Sequence, residues 1–416
     1  MIVCGGYYRE ICVTPGHDDF FGSGGRAALA LSLAGVTVNW YYYRAERFDE
    51  ERIKDTSPER LLTYETLTHH PYASAEEITF RYFHPLSQPV FAPAEPTLVD
   101  AFEVKGENIL RFGFMEGDAK VHGDKVVFDP QSPHTPIAFG ANGSTAKSLA
   151  IVLNAKEVLA LGGDENEAAA IKNIQSGDNP DVILVKAGSH GCRVYEHGQL
   201  KGTVPPYRTE KVYKIGSGDV FSAAFSYHWA EKGETALDAA HAASRCTARY
   251  CNTLNPSAAL DDDAKALEPI VVNRERAKIY VAGPFFTMAE LWLVEEACAA
   301  FKDLGIEFFS PFHEVGLLDL QDIEDPVRRQ AEIEQTVKRD LDGLDDCTAV
   351  FAIIDGNDLG TIFEIGYAVK KDLPIIALSQ NPKEGDLTMI RGSKRCFVTH
   401  DFASAIYRAA WESWIK

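Results

Sequence analysis

Two stretches of the chain set carboxylates beside glycines at spacings that suit group transfer. The first is Gly216-Ser217-Gly218-Asp219, directly before the run Val220-Phe221-Ser222-Ala223-Ala224-Phe225. Glycines at a helix start let backbone N–H groups converge on an anion, and the helix dipole adds to the attraction. An aspartate held there can take the proton of an attacking hydroxyl while the N–H groups stabilise a transferring phosphoryl. An acid at the positive end of a helix is also a common structural feature, so these four residues leave both readings open. The second stretch runs from Asp355 through Asp358, Gly360 and Thr361 to Glu364, after an apolar strand and into a helix. Glu364 is expected in the first turn, where the dipole favours its ionised, nucleophilic form. Asp358 is expected at the outer end of the strand, where open α/β sheets usually contact ligands. Such an acid cluster suits attack on an anomeric carbon, one carboxylate adding to the sugar while another handles the leaving group. The competing expectation is a capping box from Thr361 to Glu364, in which the glutamate only satisfies the backbone.

The elements that must hold these residues read as alternating strands and helices. Strands are expected at 2–4, 37–43 and 78–84, and an alanine-rich helix at 24–33 closed by Gly35. Residues 126–128, 157–161 and 182–185 read as buried strand ends, and 217–230 and 236–250 as helices. The stretch 255–269 carries two prolines and the acids Asp261, Asp262 and Asp263, which suits a linker or the start of a terminal helix, and the two domains are expected to join near 255–276. The pattern then restarts with a strand at 279–282 and the turn Gly283-Pro284. Thr287 and Glu290 form a capping box, continued by Leu291, Val294, Cys298 and Phe301 as an amphipathic helix. Strands at 306–309, 349–354 and 374–378 and a helix at 361–370 complete the second segment. This alternation predicts mostly parallel sheets covered on both faces, and hence two α/β domains, 1–265 and 277–416.

The chain of 416 residues exceeds the ~100–200 of one domain. With 41 Lys and Arg against 61 Asp and Glu, its net charge of −20 disfavours a nucleic acid polymer as partner. A small nucleotide is not excluded, because a local ring of N–H groups can outweigh the global field. No stretch approaches the ~18 apolar residues of a membrane span, and residues 1–10 lack a secretory pattern, so a cytoplasmic protein is expected. The 8 cysteines include no CxxC, which points to buried thiols rather than a structural metal.

The segment 216–225 resembles the second signature of the PfkB (ribokinase-like) family of sugar and nucleoside kinases. Further matches follow the family's order: Gly22-Ser23-Gly24-Gly25 leading into a helix, Asn154-Ala155-Lys156-Glu157, and Lys186-Ala187-Gly188-Ser189-His190-Gly191. The resemblance implies an α/β/α sandwich that binds ATP and Mg²⁺. It implies Asp219 as catalytic base and Gly216, Ser217 and Gly218 at the phosphates. Asn154 and Glu157 would serve the nucleotide, with Glu157 toward the metal, Gly188 and Gly191 would lie near the nucleotide, and Gly24 and Gly25 on the substrate side. Lys214-Ile215 and Arg9-Glu10 stand where the family carries a different lead into the loop and a sugar-binding aspartate. A kinase of altered substrate and a nucleotide sensor without turnover both fit these departures.

The second segment resembles the nucleoside 2-deoxyribosyltransferase family. The resemblance rests on Ile279-Tyr280-Val281-Ala282-Gly283-Pro284-Phe285-Phe286, Arg339-Asp340-Leu341-Asp342-Gly343, and the spacing from Asp358 to Glu364-Ile365-Gly366-Tyr367-Ala368. It implies a smaller flavodoxin- or Rossmann-like doubly wound sheet that needs no cofactor. Glu364 would be the nucleophile, Tyr280 the group orienting it, and Asp340 and Asp358 would lie around base and sugar, with Gly283, Pro284 and Phe285 at the substrate. Transfer to a second base and hydrolysis remain open, as does the identity of the nucleoside or nucleotide. The resemblance also implies a homo-oligomer, with residues 387–390 near a neighbouring subunit's site.

Overall fold

The computed structural model describes residues 1–45, 64–131, 135–271, 277–318, 323–381 and 384–414. The end of the expected linker, 272–276, lies outside the described residues. The chain divides into two compact units, Met1–Ile270 and Val271–Lys416.

Continuous apolar runs such as Val182-Ile183-Leu184-Val185 form strands buried on both faces in the first unit. Its main sheet has nine strands in the order Gln199–Val204, Cys192–Glu196, Val182–Lys186, Thr145–Asn154, Ala119–Asp129, Phe102–Phe112, Ile2–Cys4, Val38–Ala45, Leu67–Ser74. The two pairings at the Gln199–Val204 edge are antiparallel and the rest are parallel. Helices Gly22–Leu33, Ser217–Ser226 and Ala236–Thr253 share one core with Val3, Trp40, Leu110 and Val127. Helices Ala155–Gly162 and Glu167–Gly177 share another, on Phe128, Ile151 and Ile183. The result is an α/β/α sandwich. A second sheet, of strands His17–Phe20, Arg9–Cys12, Thr79–Tyr82 and Val90–Ala92, carries Glu10.

One expected strand is a helix. Residues 157–161 fall within Ala155–Gly162, because Asn154 and Glu157 close a capping box. The Asn154 side chain accepts the Glu157 N–H at 2.9 Å, and Glu157 Oε2 accepts the Asn154 N–H at 2.7 Å. This local cap outweighs the apolar run, and the buried strand is the preceding Thr145–Asn154.

In the second unit five parallel strands lie in the order Glu307–Phe309, Lys278–Ala282, Ala349–Ile353, Ile375–Leu378, Cys396–Thr399. Numbered along the chain this is 2-1-3-4-5, the doubly wound order of flavodoxin-like sheets. The strand Cys396–Thr399 is an addition to the sequence expectation; it lies half-buried at the edge of the sheet. The helix expected at 361–370 is Leu359–Lys370, and its N-cap is Asp358.

Candidate functional site

Tyr280 sits inside the strand Lys278–Ala282 with no exposed surface, its ring stacked on Phe309 at 5.5 Å. Its hydroxyl donates to Glu364 Oε1 at 2.6 Å. Glu364 is half-buried, and burial pushes its carboxyl up to about 7; the Tyr280 bond opposes that rise, and the charges of Asp340 and Asp358 add to it. Tyr280 is itself held above the usual phenol range, by burial first and by Glu364 next. Asp340, on the helix Pro326–Asp345, is pushed up to about 6 by burial, and its Oδ1 is buried without a hydrogen-bond partner. Asp358 accepts the Thr361 N–H at 2.7 Å and the Thr361 hydroxyl at 2.9 Å. These contacts overturn the expected capping box from Thr361 to Glu364, since the cap is Asp358 and Glu364 lies beyond the first turn. They also reverse the expected electrostatics, because burial rather than the helix dipole sets the state of Glu364.

Gly283, Pro284 and Phe285 form the turn leaving the strand of Tyr280. Gly283 packs against Ile353 and Val294, where an added Cβ would stand 3.2 Å from both, and Phe285 meets Phe312 at 5.5 Å. The structure thus joins Tyr280 and Glu364 directly, with Asp340 and Asp358 near enough for their charges to raise Glu364. A carboxylate steered by one hydrogen bond beside a second raised carboxyl can attack a sugar carbon while its neighbour handles a proton.

In the first unit Gly216 has φ of +74°, and the helix Ser217–Ser226 that follows has no side-chain cap. Lys186 Nζ lies 3.4 Å from where a Cβ on Gly218 would stand and donates to Asp129 Oδ2 at 2.7 Å. Ser222 also donates to that oxygen, at 2.6 Å, and Asp129 Oδ1 is buried without a partner. Burial acts to lower the Lys186 ammonium, but the charges of Asp129 and Glu157 carry it above its ordinary value. Burial raises the carboxyls of Asp129 and Glu157. A cation at an uncapped helix end fits a phosphate. Glu157 gives one oxygen to the cap with Asn154, and among the described residues no three His, Cys, Asp or Glu side chains gather to hold a metal ion. Gly188 and Gly191 bound the short turn between the strands Val182–Lys186 and Cys192–Glu196. Gly24 lies against the Gly5 carbonyl, 2.2 Å from where its Cβ would be, and Gly25 follows it inside the same buried helix.

Asp219 is buried, and both its oxygens are engaged. Gln131 Nε2 donates to Oδ1 at 2.6 Å and Arg26 Nη1 to Oδ2 at 2.7 Å. Arg26, Gln131 and Asp129 are absent from the residues singled out in the sequence. The signal for Arg26 was available, since it is the one charged residue of the helix Gly22–Leu33.

The PfkB family carbohydrate kinase model matches residues 118–259, and the nucleoside 2-deoxyribosyltransferase model matches residues 279–394. The first unit thus resembles one enzyme family over part of its length and the second unit resembles another. No curated protein matches it. Solved structures that resemble it include aminoimidazole riboside kinase from Salmonella enterica, complexed with aminoimidazole riboside and an ATP analog. The identity there is 11%, covering 64% of this chain and 99% of that one, with a TM-score of 0.48. Phosphofructokinase-2 from Escherichia coli in complex with fructose-6-phosphate matches at 11% identity, over 62% and 96% of the two chains, with a TM-score of 0.42. Among the described residues no helix is long and apolar enough to cross a membrane.

Proposed function

We propose that the C-terminal unit breaks the N-glycosidic bond of a (2′-deoxy)nucleoside or nucleotide with Glu364 as nucleophile. The hydrogen bond from Tyr280 to Glu364 at 2.6 Å, inside a half-buried group of carboxyls, carries this reading. Tyr280 fixes one oxygen of Glu364 while the other attacks the anomeric carbon. The new C–O bond forms as the C–N bond breaks, and the electron pair leaves with the base. Protonated Asp340 returns a proton to the departing base, and Asp358 faces the sugar while capping the helix that holds Glu364. A second base or water then releases the sugar from the Glu364 ester. Incubating the protein with single nucleosides and nucleotides, with and without a second base, tests this. Free base or a new nucleoside, with a sugar adduct on the peptide holding Glu364, is expected; no product from any of them would refute it.

For the N-terminal unit we propose ATP and Mg²⁺. Lys186 and the helix end at Gly216, Ser217 and Gly218 would meet the phosphates, with Glu157 toward the metal and Asp219 as base to a sugar or nucleoside hydroxyl. A second reading, nucleotide binding without turnover, is favoured by the two donors already on Asp219.

A further inference from the structure

Arg26 leaves the helix Gly22–Leu33 directly after the paired glycines and is 1% exposed. Its guanidinium is gripped by two carboxylates from different elements. Nη1 donates to Glu10 Oε1 at 3.2 Å and Nη2 to Glu10 Oε2, from the small second sheet. Nη1 also donates to Asp219 Oδ2 at 2.7 Å, on the helix Ser217–Ser226. Phe21 lies under the guanidinium with its ring centre 4.6 Å away. On another side stands Gly216, where an added Cβ would fall 2.2 Å from the guanidinium atoms. The glycine expected to clear space for a ligand therefore clears space for Arg26. Tyr82, Tyr213 and Tyr250 surround the cluster, each phenol raised by burial first, with Glu10, Arg26 and Asp219 or their neighbours acting next.

A base for phosphoryl transfer must offer a carboxylate oxygen to the acceptor's hydroxyl within hydrogen-bond reach. Gln131 on one oxygen and Arg26 on the other leave each oxygen of the buried Asp219 a single further acceptor site, and the Arg26 side chain takes up the space beside Oδ2. We propose that Arg26, held by Glu10, is a resident occupant of the acceptor's position, so that the N-terminal unit in this state has no seat for a hydroxyl acceptor. The consequence for turnover rests on the reading of this unit as nucleotide-binding; the occupancy itself does not. Glu10 is the retaining residue. A fork held on two oxygens by one partner and on one by the other will stay with Glu10 if Asp219 lets go.

The test compares the full chain with a charge-balanced double variant, Glu10→Gln with Arg26→Ala. The pair removes one positive and one negative charge, so the net charge of the cluster is unchanged, while Asp219 loses its cation and keeps the neutral Gln131. Carbodiimide labelling of carboxyls, read by peptide mass, reports access to Asp219. At least tenfold more label on the Asp219 peptide of the variant is expected, and equal labelling overturns the proposal. ATP consumption with a panel of sugars and nucleosides is expected to be at background in the wild type. It should rise at least tenfold in the variant, and the gain should vanish when Asp219→Asn is added. Acceptor-dependent ATP consumption as fast in wild type as in the variant also overturns it. If neither protein binds ATP while the labelling difference stands, the nucleotide reading falls and the placement of Arg26 is upheld. Should the pair fail to fold, as seen by circular dichroism, Arg26→Lys replaces it. Its single ammonium cannot bridge both carboxylates as a fork, so increased labelling is again expected and unchanged labelling counts against the proposal.

Discussion

The acid that carries the proposed glycosidic chemistry stands on a proton balance, and Glu364 and Asp340 are set unusually close in it. Burial brings Glu364 to about 7 and Asp340 to about 6. The nucleophile must be ionised and the acid protonated, yet Asp340 gives up its proton near 6 and Glu364 only near 7. The productive form is therefore a minor one at every pH, and kcat/KM should follow a bell with limbs near 6 and 7 that belong to the coupled pair. Tyr280→Phe removes the hydrogen bond that holds Glu364 down, so the falling limb should move to higher pH while activity drops on the acid side and at the maximum, where the ionised form of Glu364 becomes rarer still. A profile that keeps its shape in the variant would refute that role for Tyr280. Stability gives a second, independent readout. A carboxyl raised in the native state keeps its proton longer than in the unfolded chain. Its contribution is therefore full below about 4.5 and is lost as pH rises through about 7. Glu364→Gln should lower turnover by several orders of magnitude while making the protein more stable at pH 8, by an amount on the order of 3 kcal/mol. A variant that is inactive and also less stable at pH 8 would show that Glu364 supports the fold instead.

The helix Leu359–Lys370 ties that residue to its place through one side chain, and the tie can be separated from the chemistry. Asp358 caps the helix by accepting the Thr361 N–H, and Asn caps about as well as Asp. Asp358→Asn should therefore leave the melting temperature nearly unchanged and reduce glycosidic turnover, if the charge faces the sugar. Asp358→Ala should lose about 1 kcal/mol as well, the usual cost of a lost cap. Equal activity in wild type and Asp358→Asn would reduce Asp358 to a cap. Caps also decide what the sequence could reveal. Thr287 and Glu290 were legible as a capping box because an amphipathic run follows them, and the helix Met288–Asp303 forms as read. Asn154 and Glu157 carry the same device, yet the apolar Val158, Leu159 and Leu161 suggested a strand. The two glycine-and-acid stretches were legible because helix ends impose local spacing. Arg26 stands out in the sequence as the one charged residue of its helix, but its partners Glu10 and Asp219 lie 16 and 193 positions away and only the fold brings them together. Asp129 and Gln131 were missed for the same reason, as tertiary contacts that no local pattern encodes.

For the molecule as a whole, the surface of the C-terminal unit bears on assembly. Phe286 is 67% exposed, Met288 91%, Leu359 85%, Phe363 60% and Met389 81%. Phe286 and Met288 follow the strand of Tyr280, and Leu359 and Phe363 lie on the helix of Glu364, so exposed apolar groups flank both elements that make the site. Within the stretch 387–390, Leu387 and Ile390 pack inside the unit's own core with Ile365, which leaves Met389 as the residue that could reach outward. Exposed large apolar side chains near one another mark association sites, and these flank the strand and the helix of one site. A chain of net charge −20 repels its own copies, so such an association must bury enough apolar area to offset that repulsion. The expected outcome is a homo-oligomer formed at least partly through the C-terminal unit, seen by sedimentation at micromolar concentration and strengthened by salt, which screens the repulsion. Phe363→Asp should dissociate it while leaving the fold intact, because the side chain is exposed in the single chain. If a neighbouring copy completes the site, glycosidic activity should fall with dissociation and recover as protein concentration is raised. A wild-type protein that sediments as a monomer and retains full activity would overturn both the assembly and the shared site.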